Sequence, residues 1–227
     1  MILWFTNASF VPVGWRLTRG ERAVTSSGLK VVGLRFLTWG PINLSFGVGE
    51  IVGLSGPSGA GKSLLLRAIA DLVESTGRIV WGGLDREALA APEWRRLLGL
   101  LPANPVWWYD RVGDHFLGNR SHDLDTLNLA DDVMTWEVSR LSSGERQRLG
   151  ILRMLNRSPE CLLLDEPTAN LDPDARDRVV ALLRDYVNDR SAARSALIVS
   201  HDLGVLEELC VARYEMLEHQ LRPVSMR

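Results

Sequence analysis

A glycine-rich segment that ends in lysine and serine could bind phosphate groups. Its residues are Gly56, Pro57, Ser58, Gly59, Ala60, Gly61, Lys62 and Ser63. Glycines let the backbone approach phosphate oxygens closely, and the free N–H groups of a following helix favour an anion. In such loops the lysine contacts the β- and γ-phosphates and the serine hydroxyl binds Mg²⁺. The alternative is a plain glycine turn before a helix, but the lysine, the serine and the flanking elements all favour a nucleotide site.

Four further segments follow in chain order and narrow the class of nucleotide-binding protein. They are Leu141-Ser142-Ser143-Gly144-Glu145, the run Cys161-Leu162-Leu163-Leu164-Asp165-Glu166-Pro167-Thr168, Ala169-Asn170-Leu171-Asp172 and Val199-Ser200-His201-Asp202. These segments resemble the LSGGQ signature, the Walker B segment, the D-loop and the switch-histidine segment of the ATP-binding cassette family. The resemblance extends from about residue 29 to the end of the chain. The chain is similar above all to stand-alone bacterial nucleotide-binding subunits of ATP-binding cassette transporters.

The resemblance implies a division of roles around bound ATP. Lys62 and Ser63 hold the phosphates and Mg²⁺, and Asp165, which ends an apolar strand, binds Mg²⁺ directly or through water. Glu166 then polarises the attacking water, which requires a carboxylate within hydrogen-bond reach of the nucleophile. His201 contacts the γ-phosphate and holds the water and glutamate in place. Outside this set of motifs, a solvated turn and a structural histidine would be the simpler interpretations.

The signature segment predicts that active sites are shared between two subunits. Ser142, Ser143 and Gly144 begin a helix, so their N–H groups and hydroxyls are available to an anion. In the family, this surface closes over ATP bound by the opposite subunit, which implies a homodimer or a paired cassette. Ser142 and Glu145 also fit the capping-box pattern of an ordinary helix start, and both interpretations can hold together.

Three positions depart from the family pattern. A glutamine that binds Mg²⁺ and relays the nucleotide state to the membrane partner is expected at the end of a strand, where this chain has Ala103. Asn104 could take its place if the loop shifts by one residue, and water could otherwise complete the metal shell. Ser143 and Glu145 replace glycine and glutamine of the signature. The change at Ala103 affects the expected coupling more than ATP binding.

Aromatic residues are candidates for two further contacts. Trp39 and Phe36 lie upstream of the phosphate loop, where the family places the ring that stacks on adenine, although simple burial is equally compatible with the sequence. Trp107, Trp108 and Tyr109 follow the altered glutamine position, where the family docks its membrane partner. Three adjacent aromatics cannot all face one interior, so at least one is expected at the surface.

The elements that must position these residues form an alternating pattern of strands and helices. Apolar runs predict strands at 29–36, 42–46, 51–55, 77–81, 97–101, 161–164 and 196–200, with a closing pair at 213–217 and 220–224. Helical patterns cover 62–72, 146–155, 173–188 and 203–209. The strand pattern is lost at about 105–140, which predicts an inserted helical subdomain. The fold class is therefore α/β, a P-loop NTPase with a mostly parallel sheet covered by helices and a small antiparallel β part.

Composition limits the number of domains and the kinds of partner. With 227 residues and 25.3 kDa, the chain fits one ATPase domain at 29–227. A formal charge of −2 gives no reason to expect a nucleic acid partner, and two cysteines exclude a disulfide framework. Residues 1–28 are expected to be an extension or an added edge strand, because their apolar start lacks the charged region of a secretory signal.

These observations predict an ATPase subunit that energises transport through a separate transmembrane permease. No apolar run reaches the length of a membrane-spanning helix, so we expect a peripheral position on the cytoplasmic face of the inner membrane. A soluble ATPase of DNA repair or translation is the first alternative, but the chain has neither a long coiled coil nor a basic stripe. A regulatory nucleotide sensor is the second, suggested by Ala103 and opposed by Glu166 and His201. Cargo and direction are not encoded in this subunit.

Overall fold

The structure, a computed structural model, describes residues 28–117 and 124–225. The extension predicted at 1–28 therefore lies, apart from Gly28, outside the described residues, as does the middle of the insertion predicted at 105–140. Within the described ranges, no helix has both the length and the apolar character that crossing a bilayer requires.

Strands and helices alternate along most of the chain. The strands are β1 Leu29–Phe36, β2 Trp39–Phe46, β3 Ile51–Ser55, β4 Thr76–Trp81, β5 Leu84–Asp85, β6 Leu98–Leu101, β7 Cys161–Asp165, β8 Ser195–Val199, β9 Ala212–Leu217 and β10 Gln220–Val224. The α-helices are α1 Lys62–Ile69, α2 Ala91–Leu97, α3 Ser143–Leu155, α4 Pro173–Asn188 and α5 Leu203–Leu209.

A six-stranded sheet in the order β10-β9-β3-β8-β7-β6 carries the predicted site. Its strands from β9 to β6 run parallel, and β10 closes the sheet as an antiparallel neighbour of β9. Parallel strands are covered on both faces, so they read as continuous apolar runs such as the fully buried β7 and β8. The parallel strands end at one edge of the sheet, called the carboxyl edge below, and the loops that follow them meet there.

The small antiparallel part predicted from sequence is a second sheet with the order β2-β1-β4-β5. Two apolar clusters lie on opposite sides of the parallel sheet, because successive strand residues point to opposite faces. Ile51 contributes to the cluster under α3, α4 and α5, and its neighbour Val52 to the cluster shared with α1 and the antiparallel sheet. The indole N–H of buried Trp94 donates to the Ile69 carbonyl over 2.8 Å, which ties α2 to the end of α1.

The helix and strand boundaries differ from the sequence predictions at identifiable points. Helix α1 was expected to reach residue 72 and ends at Ile69, because Asp71 adopts a φ of 59° and the Leu72 N–H turns back to the Arg67 carbonyl over 2.8 Å. Helix α3 begins at Ser143 rather than at residue 146, since Ser142 caps it. The short elements β5 and α2 were not predicted.

The insertion at 105–140 is helical only in short turns. Its described residues form 3-10 helices at Gly113–His115, Asp125–Leu127, Val133–Thr135 and Val138–Arg140. These turns are held by single apolar anchors, since Val112, Leu127 and Val133 are each fully buried against the main core. A helical periodicity is absent from the sequence for this reason: the segment packs through isolated residues and not through a continuous apolar stripe.

Candidate nucleotide-binding and hydrolysis site

The glycine-rich segment connects β3 to α1 at the carboxyl edge. Gly56, Gly59 and Gly61 take φ values of 138°, 80° and 97°, which other residues adopt only with strain. A Cβ at Gly56 would lie 2.5 Å from the Met216 carbonyl oxygen, and one at Gly61 would lie 2.5 Å from Trp39 Nε1. Both glycines are therefore required by backbone conformation and by space.

Lys62 folds back over the loop that precedes it. Its Nζ donates to the carbonyls of Gly56 and Pro57 over 2.7 and 2.9 Å. Burial lowers the pKa of Lys62, while the Glu166 and Asp165 carboxylates act in the opposite direction. The ammonium thus lies where both carboxylates act on its charge, and it can exchange its carbonyl acceptors for phosphate oxygens. Ser63 follows in the first turn of α1 and is partly buried.

Strand register brings the other predicted residues to the same edge. Asp165 at the end of β7 pairs with Val199 at the end of β8, and Val199 also pairs with Leu54 of β3. Asp165 is buried with 5% exposure. His201 follows β8 by two residues, and its side chain is 55% exposed. The sheet therefore assembles Asp165, Glu166 and His201 beside the phosphate loop.

Glu166 combines an unusual backbone with a largely buried carboxylate. Its φ is 51°, its side chain is 20% exposed, and its Oε1 finds no hydrogen-bond partner among the described residues. Burial raises the pKa of Glu166 and the Asp165 charge adds to the rise, while a hydrogen bond from the His201 backbone, the His201 charge and the Lys62 charge oppose it. His201 Nε2 lies 3.8 Å from Oε1. A carboxylate in this state is suited to accept a proton from water.

The signature segment forms the capped start of α3. Ser142 Oγ accepts from the Glu145 N–H over 3.2 Å, and the Glu145 carboxylate accepts from the Ser142 N–H over 2.8 Å. Gly144 faces the D-loop, because a Cβ there would lie 3.6 Å from the Asn170 carbonyl. The capping box expected from sequence is confirmed. The segment begins the helix that also carries Gln147.

Gln147 was not singled out in the sequence. It is 4% exposed, and its Nε2 donates to the Glu166 carbonyl over 3.2 Å. The available signal was a polar residue on the buried stripe of α3, which continues through Gly150, Ile151 and Met154. Its partner lies on a different element, so the pattern alone could not identify the contact.

The two candidates for adenine stacking differ in accessibility. Phe36 is 2% exposed, so it offers no surface for a base. Trp39 covers it, with the rings nearly parallel and their centroids 6.0 Å apart. Trp39 remains partly exposed, and its Nε1 donates to the Ala60 carbonyl of the phosphate loop over 2.7 Å. The exposed His219 ring lies 5.0 Å from the indole.

The residues Trp107, Trp108 and Tyr109, called the aromatic segment below, surround His115. Trp108 and Tyr109 are 56% and 53% exposed, so the expectation of outward-facing aromatics is confirmed. His115 Nε2 accepts from the Trp108 and Tyr109 N–H groups over 2.9 and 3.0 Å. Because Nε2 accepts both, the hydrogen-bond network assigns the proton to Nδ1, which donates to the Arg111 carbonyl over 3.0 Å.

A phosphate loop between a parallel strand and a helix, with two carboxylates at the end of a nearby strand, defines a P-loop nucleotide hydrolase. The sequence matches the family described as ABC transporter over residues 40–169. The chain belongs to the ABC transporter family, as its ATP-binding and ATP-hydrolysing subunit.

Relatives and solved structures agree with this assignment. The chain is 34% identical over 189 residues to the phosphonates import ATP-binding protein PhnC 1 of Rhodopseudomonas palustris (strain BisB18), covering 71% of this chain and 68% of the relative. It is 33% identical over 174 residues to the probable iron export ATP-binding protein FetA of Escherichia coli (strain K12), covering 71% and 76%.

Two solved structures share the fold at 22% sequence identity. A bacterial Atm1-family ABC exporter with ATP bound superposes with a TM-score of 0.76 over 88% of this chain and 39% of that chain. The ATP-binding cassette MJ0796, in a dimeric post-hydrolysis state bound to ADP and Pi, superposes with a TM-score of 0.72 over 88% and 99%. The α/β fold class predicted from sequence is confirmed.

Proposed function

We propose that this subunit hydrolyses Mg²⁺-bound ATP at a site completed by a second cassette and thereby drives a separate membrane-spanning permease. The observation that carries the proposal is the largely buried Glu166 carboxylate, whose Oε1 has no hydrogen-bond partner within residues 28–117 and 124–225 and lies 3.8 Å from His201 Nε2. A largely buried carboxylate lowers the stability of the fold, and a role in activating water explains why the chain keeps one at this position.

The phosphate loop supplies the contacts to the nucleotide. The proposed ATP ligands are Gly56, Pro57, Ser58, Gly59, Ala60, Gly61, Lys62 and Ser63. The N–H groups at the start of α1 remain available to an anion, since the N-cap Gly61 brings no capping side chain. Trp39 is the candidate for the adenine contact, because its ring is partly exposed and is anchored to the loop through Ala60.

Ser63 and Asp165 are the proposed protein ligands of Mg²⁺. A buried carboxylate beside the phosphate loop fits a cation that binds one or two protein oxygens, phosphate oxygens and water. The ion supplies charge neutralisation on the phosphates. Ala103 offers no oxygen from its side chain, so we propose that water takes the place of the usual glutamine amide.

Glu166 and His201 are the proposed catalytic pair, with Lys62 stabilising the charge on the phosphates. Glu166 accepts the proton of the attacking water, because burial raises the pKa of its carboxyl and makes the carboxylate a better base. His201 is exposed at the loop after β8. Asp202 caps α5 through the N–H groups of Gly204 and Val205, which fixes the backbone next to the histidine.

The second cassette contributes its signature segment. Ser142, Ser143 and Gly144 lie at a helix start that is oriented by a capping box and remains at the surface. Such a start attracts a phosphate group, and we infer that this group belongs to ATP held by a second copy. The relative with a dimeric post-hydrolysis structure supports this arrangement as a hypothesis for the present chain.

The aromatic segment is the proposed contact with the permease. Trp108 and Tyr109 are exposed together with Val106, 65% exposed, and Arg153 lies over the rings of Trp107 and Trp108 at 4.4 and 4.8 Å. Aromatic side chains that are held rigidly lose little entropy on docking. Import and export proteins among the relatives support a transport role and a peripheral position on the cytoplasmic face of the membrane. They give no support to a soluble repair ATPase or a nucleotide sensor.

The shared site is tested by mixing two inactive variants. Lys62→Ala removes the phosphate contact of its own loop, and Ser142→Arg blocks the signature surface offered to a partner. A mixed dimer contains one site without either change, so a mixture should recover phosphate release that neither variant shows alone. Each variant mixed with itself at the same total concentration is the control. Absence of recovery, with dimers verified by light scattering, would contradict the shared site.

A further inference from the structure

Gln147 joins the signature helix to the residue that carries the proposed catalytic carboxylate. It lies in the second turn of α3 with 4% exposure, and its Nε2 donates to the backbone carbonyl of Glu166 over 3.2 Å. The two residues belong to segments that are separate in the chain, α3 and the loop after β7. The hydrogen bond therefore couples the positions of two functional segments within one subunit.

The backbone of Glu166 needs such support. Its φ of 51° lies in the left-handed region, which a residue with a Cβ adopts only when surrounding contacts stabilise it. Its N–H donates to the Val199 carbonyl over 2.9 Å, and its carbonyl accepts from the Ala169 N–H over 3.1 Å. Both of these bonds are made by backbone atoms. Gln147 adds a second donor to the same carbonyl, from a side chain that mutation can remove.

The direction of the Glu166 side chain depends on this conformation. Displacement of the Glu166 carbonyl would shift the Cα that carries the side chain, and hence the position of the carboxylate relative to His201. A general base must lie within hydrogen-bond reach of the water it activates, so a small displacement lowers turnover. ATP binding, in contrast, depends on the phosphate loop, to which Gln147 makes no hydrogen bond among the described residues.

We propose that Gln147 is a positioning residue that holds the Glu166 carboxylate in its productive orientation and links it to the signature segment on the same helix. The inference rests on the proposed role of Glu166 as general base. It assigns to one subunit a direct connection between two sites: the signature surface, which faces the ATP of the second cassette, and the base that acts on its own ATP. Contact of the signature surface with the ATP of the second cassette then affects, through the buried Gln147 side chain, the hydrolysis of the subunit's own ATP.

The primary test is Gln147→Met, which keeps the length and packing volume of glutamine and removes its N–H donors. We expect kcat for phosphate release to fall roughly tenfold while KM for ATP changes less than about twofold, since the lost contact acts on chemistry and not on nucleotide binding. The matched control is Arg146→Met on the same helix, which removes a hydrogen bond to the Val138 carbonyl over 3.1 Å. The control should leave kcat near the wild-type value.

A double substitution separates positioning from a general structural effect. In the Glu166→Gln background no base remains to be positioned, so Gln147→Met should cause no further loss in residual single-turnover hydrolysis. A merely structural role would lower the residual rate again. Gln147→Leu, which also lacks N–H donors and carries no charge into this buried position, replaces Gln147→Met if the methionine variant does not fold.

The outcomes for the two hypotheses are distinguishable. Wild-type turnover in Glu166→Gln would overturn the general-base assignment itself. A large loss in Glu166→Gln together with wild-type kcat in Gln147→Met would leave the base in place and overturn the positioning role. Equal losses in Gln147→Met and Arg146→Met would also overturn it, because they would show a nonspecific effect on α3.

Discussion

The carboxyl edge of the parallel sheet and the aromatic segment are held in place by different means. At the carboxyl edge, strand register and backbone bonds position Asp165 and Glu166, as in the pairing of Asp165 with Val199 and the 2.9 Å bond from the Glu166 N–H to the Val199 carbonyl. The aromatic segment has no strand, and the N–H groups of Trp108 and Tyr109 donate to the side chain of His115.

Because of this difference, the carboxyl edge and the aromatic segment are suited to different tasks. The strands of this edge cannot shift without disrupting β7 and β8, whose residues are all buried, and only the orientation of Glu166, which follows β7, also depends on Gln147. A segment held by one imidazole and by Arg153, which donates to the Val106 carbonyl over 2.8 Å, can reorient at the cost of a few side-chain contacts. Such a segment suits a surface that must follow a moving partner, while the fixed edge suits general-base catalysis.

The largest expected effect is at the carboxyl edge, in Glu166→Gln. The substitution keeps the size of the side chain and removes the base, so kcat should fall by about a hundredfold or more while ATP binding persists. Lys62→Ala should instead weaken binding itself. Phosphate release and nucleotide binding by equilibrium dialysis measure the two effects. If Glu166→Gln hydrolysed ATP at the wild-type rate, another residue would have to be the general base. The contrast between the carboxyl edge and the aromatic segment would then no longer hold.

The next effect is a dependence of turnover on pH. Burial raises the pKa of Glu166, and only the deprotonated form accepts a proton from water. As pH falls through the raised pKa, kcat/KM should decline about tenfold per pH unit, beginning at a higher pH than for an exposed glutamate. The profile with MgATP in excess, corrected for ATP protonation, measures this limb. An acid limb in the ordinary range for glutamate would contradict the burial argument.

The same shift affects stability with a definite sign. Because the pKa of Glu166 is raised in the folded state, its protonated form is the one that folding favours. The contribution is favourable at low pH and is lost as pH rises through the raised pKa. Glu166→Gln should therefore raise the unfolding temperature at neutral pH, as measured by calorimetry, even though it abolishes turnover.

A smaller effect is expected in the aromatic segment. Trp108→Ala removes an exposed ring from the proposed permease contact, so it should abolish several-fold stimulation by the permease and leave basal hydrolysis within about twofold. His115→Ala should reproduce this loss, whereas His115→Gln, which can accept from N–H groups and donate to a carbonyl, should restore part of it. Reconstituted vesicles give basal and stimulated rates together. Unchanged stimulation in both Trp108→Ala and His115→Ala would show that the permease docks elsewhere.

Which features could be predicted from the sequence depended on the range of the interactions involved. Buried parallel strands such as β3 and β8 appear as short apolar runs, and the capping box at Ser142 and Glu145 is contained within one turn of chain. The role of Gln147 depends on a bond to residue 166, which lies 19 positions away. The His115 site likewise combines three backbone groups with an imidazole, and its local sequence carries no motif. Tertiary contacts of this kind have no signature in spacing.

The short elements were missed for a related reason. Strand β5 has two residues and α2 has seven, with proline near the start of α2, so neither shows a full period of its pattern. The 3-10 turns of the insertion are stabilised by buried anchors and not by periodicity. The end of α1 could not be predicted because it depends on the left-handed conformation of Asp71. The apolar pattern in the sequence continues beyond this residue.

The smallest expected effect concerns Ala103, which lies where the two regions meet. Leu101 at the end of β6 pairs with Leu164 of β7. Ala103 lies two residues after Leu101, and Glu166 lies two residues after Leu164, so the two residues occupy corresponding positions beyond the paired strands. A glutamine at this position could reach the metal from the carboxyl edge. If water already completes the Mg²⁺ shell, Ala103→Gln should change basal hydrolysis and Mg²⁺ dependence by less than about twofold, because one neutral ligand replaces another.

Asn104 provides the matching test on the partner side. It is exposed, and its loss in Asn104→Ala should lower permease-stimulated hydrolysis if the relay runs from this loop into the aromatic segment. Comparing both variants with and without the permease separates the metal from the relay. A marked rise in basal turnover for Ala103→Gln would show that the metal site of this chain is weakened by its alanine. The sharp division between a complete catalytic edge and a separate communicating segment would then fail, because one residue after β6 would limit both.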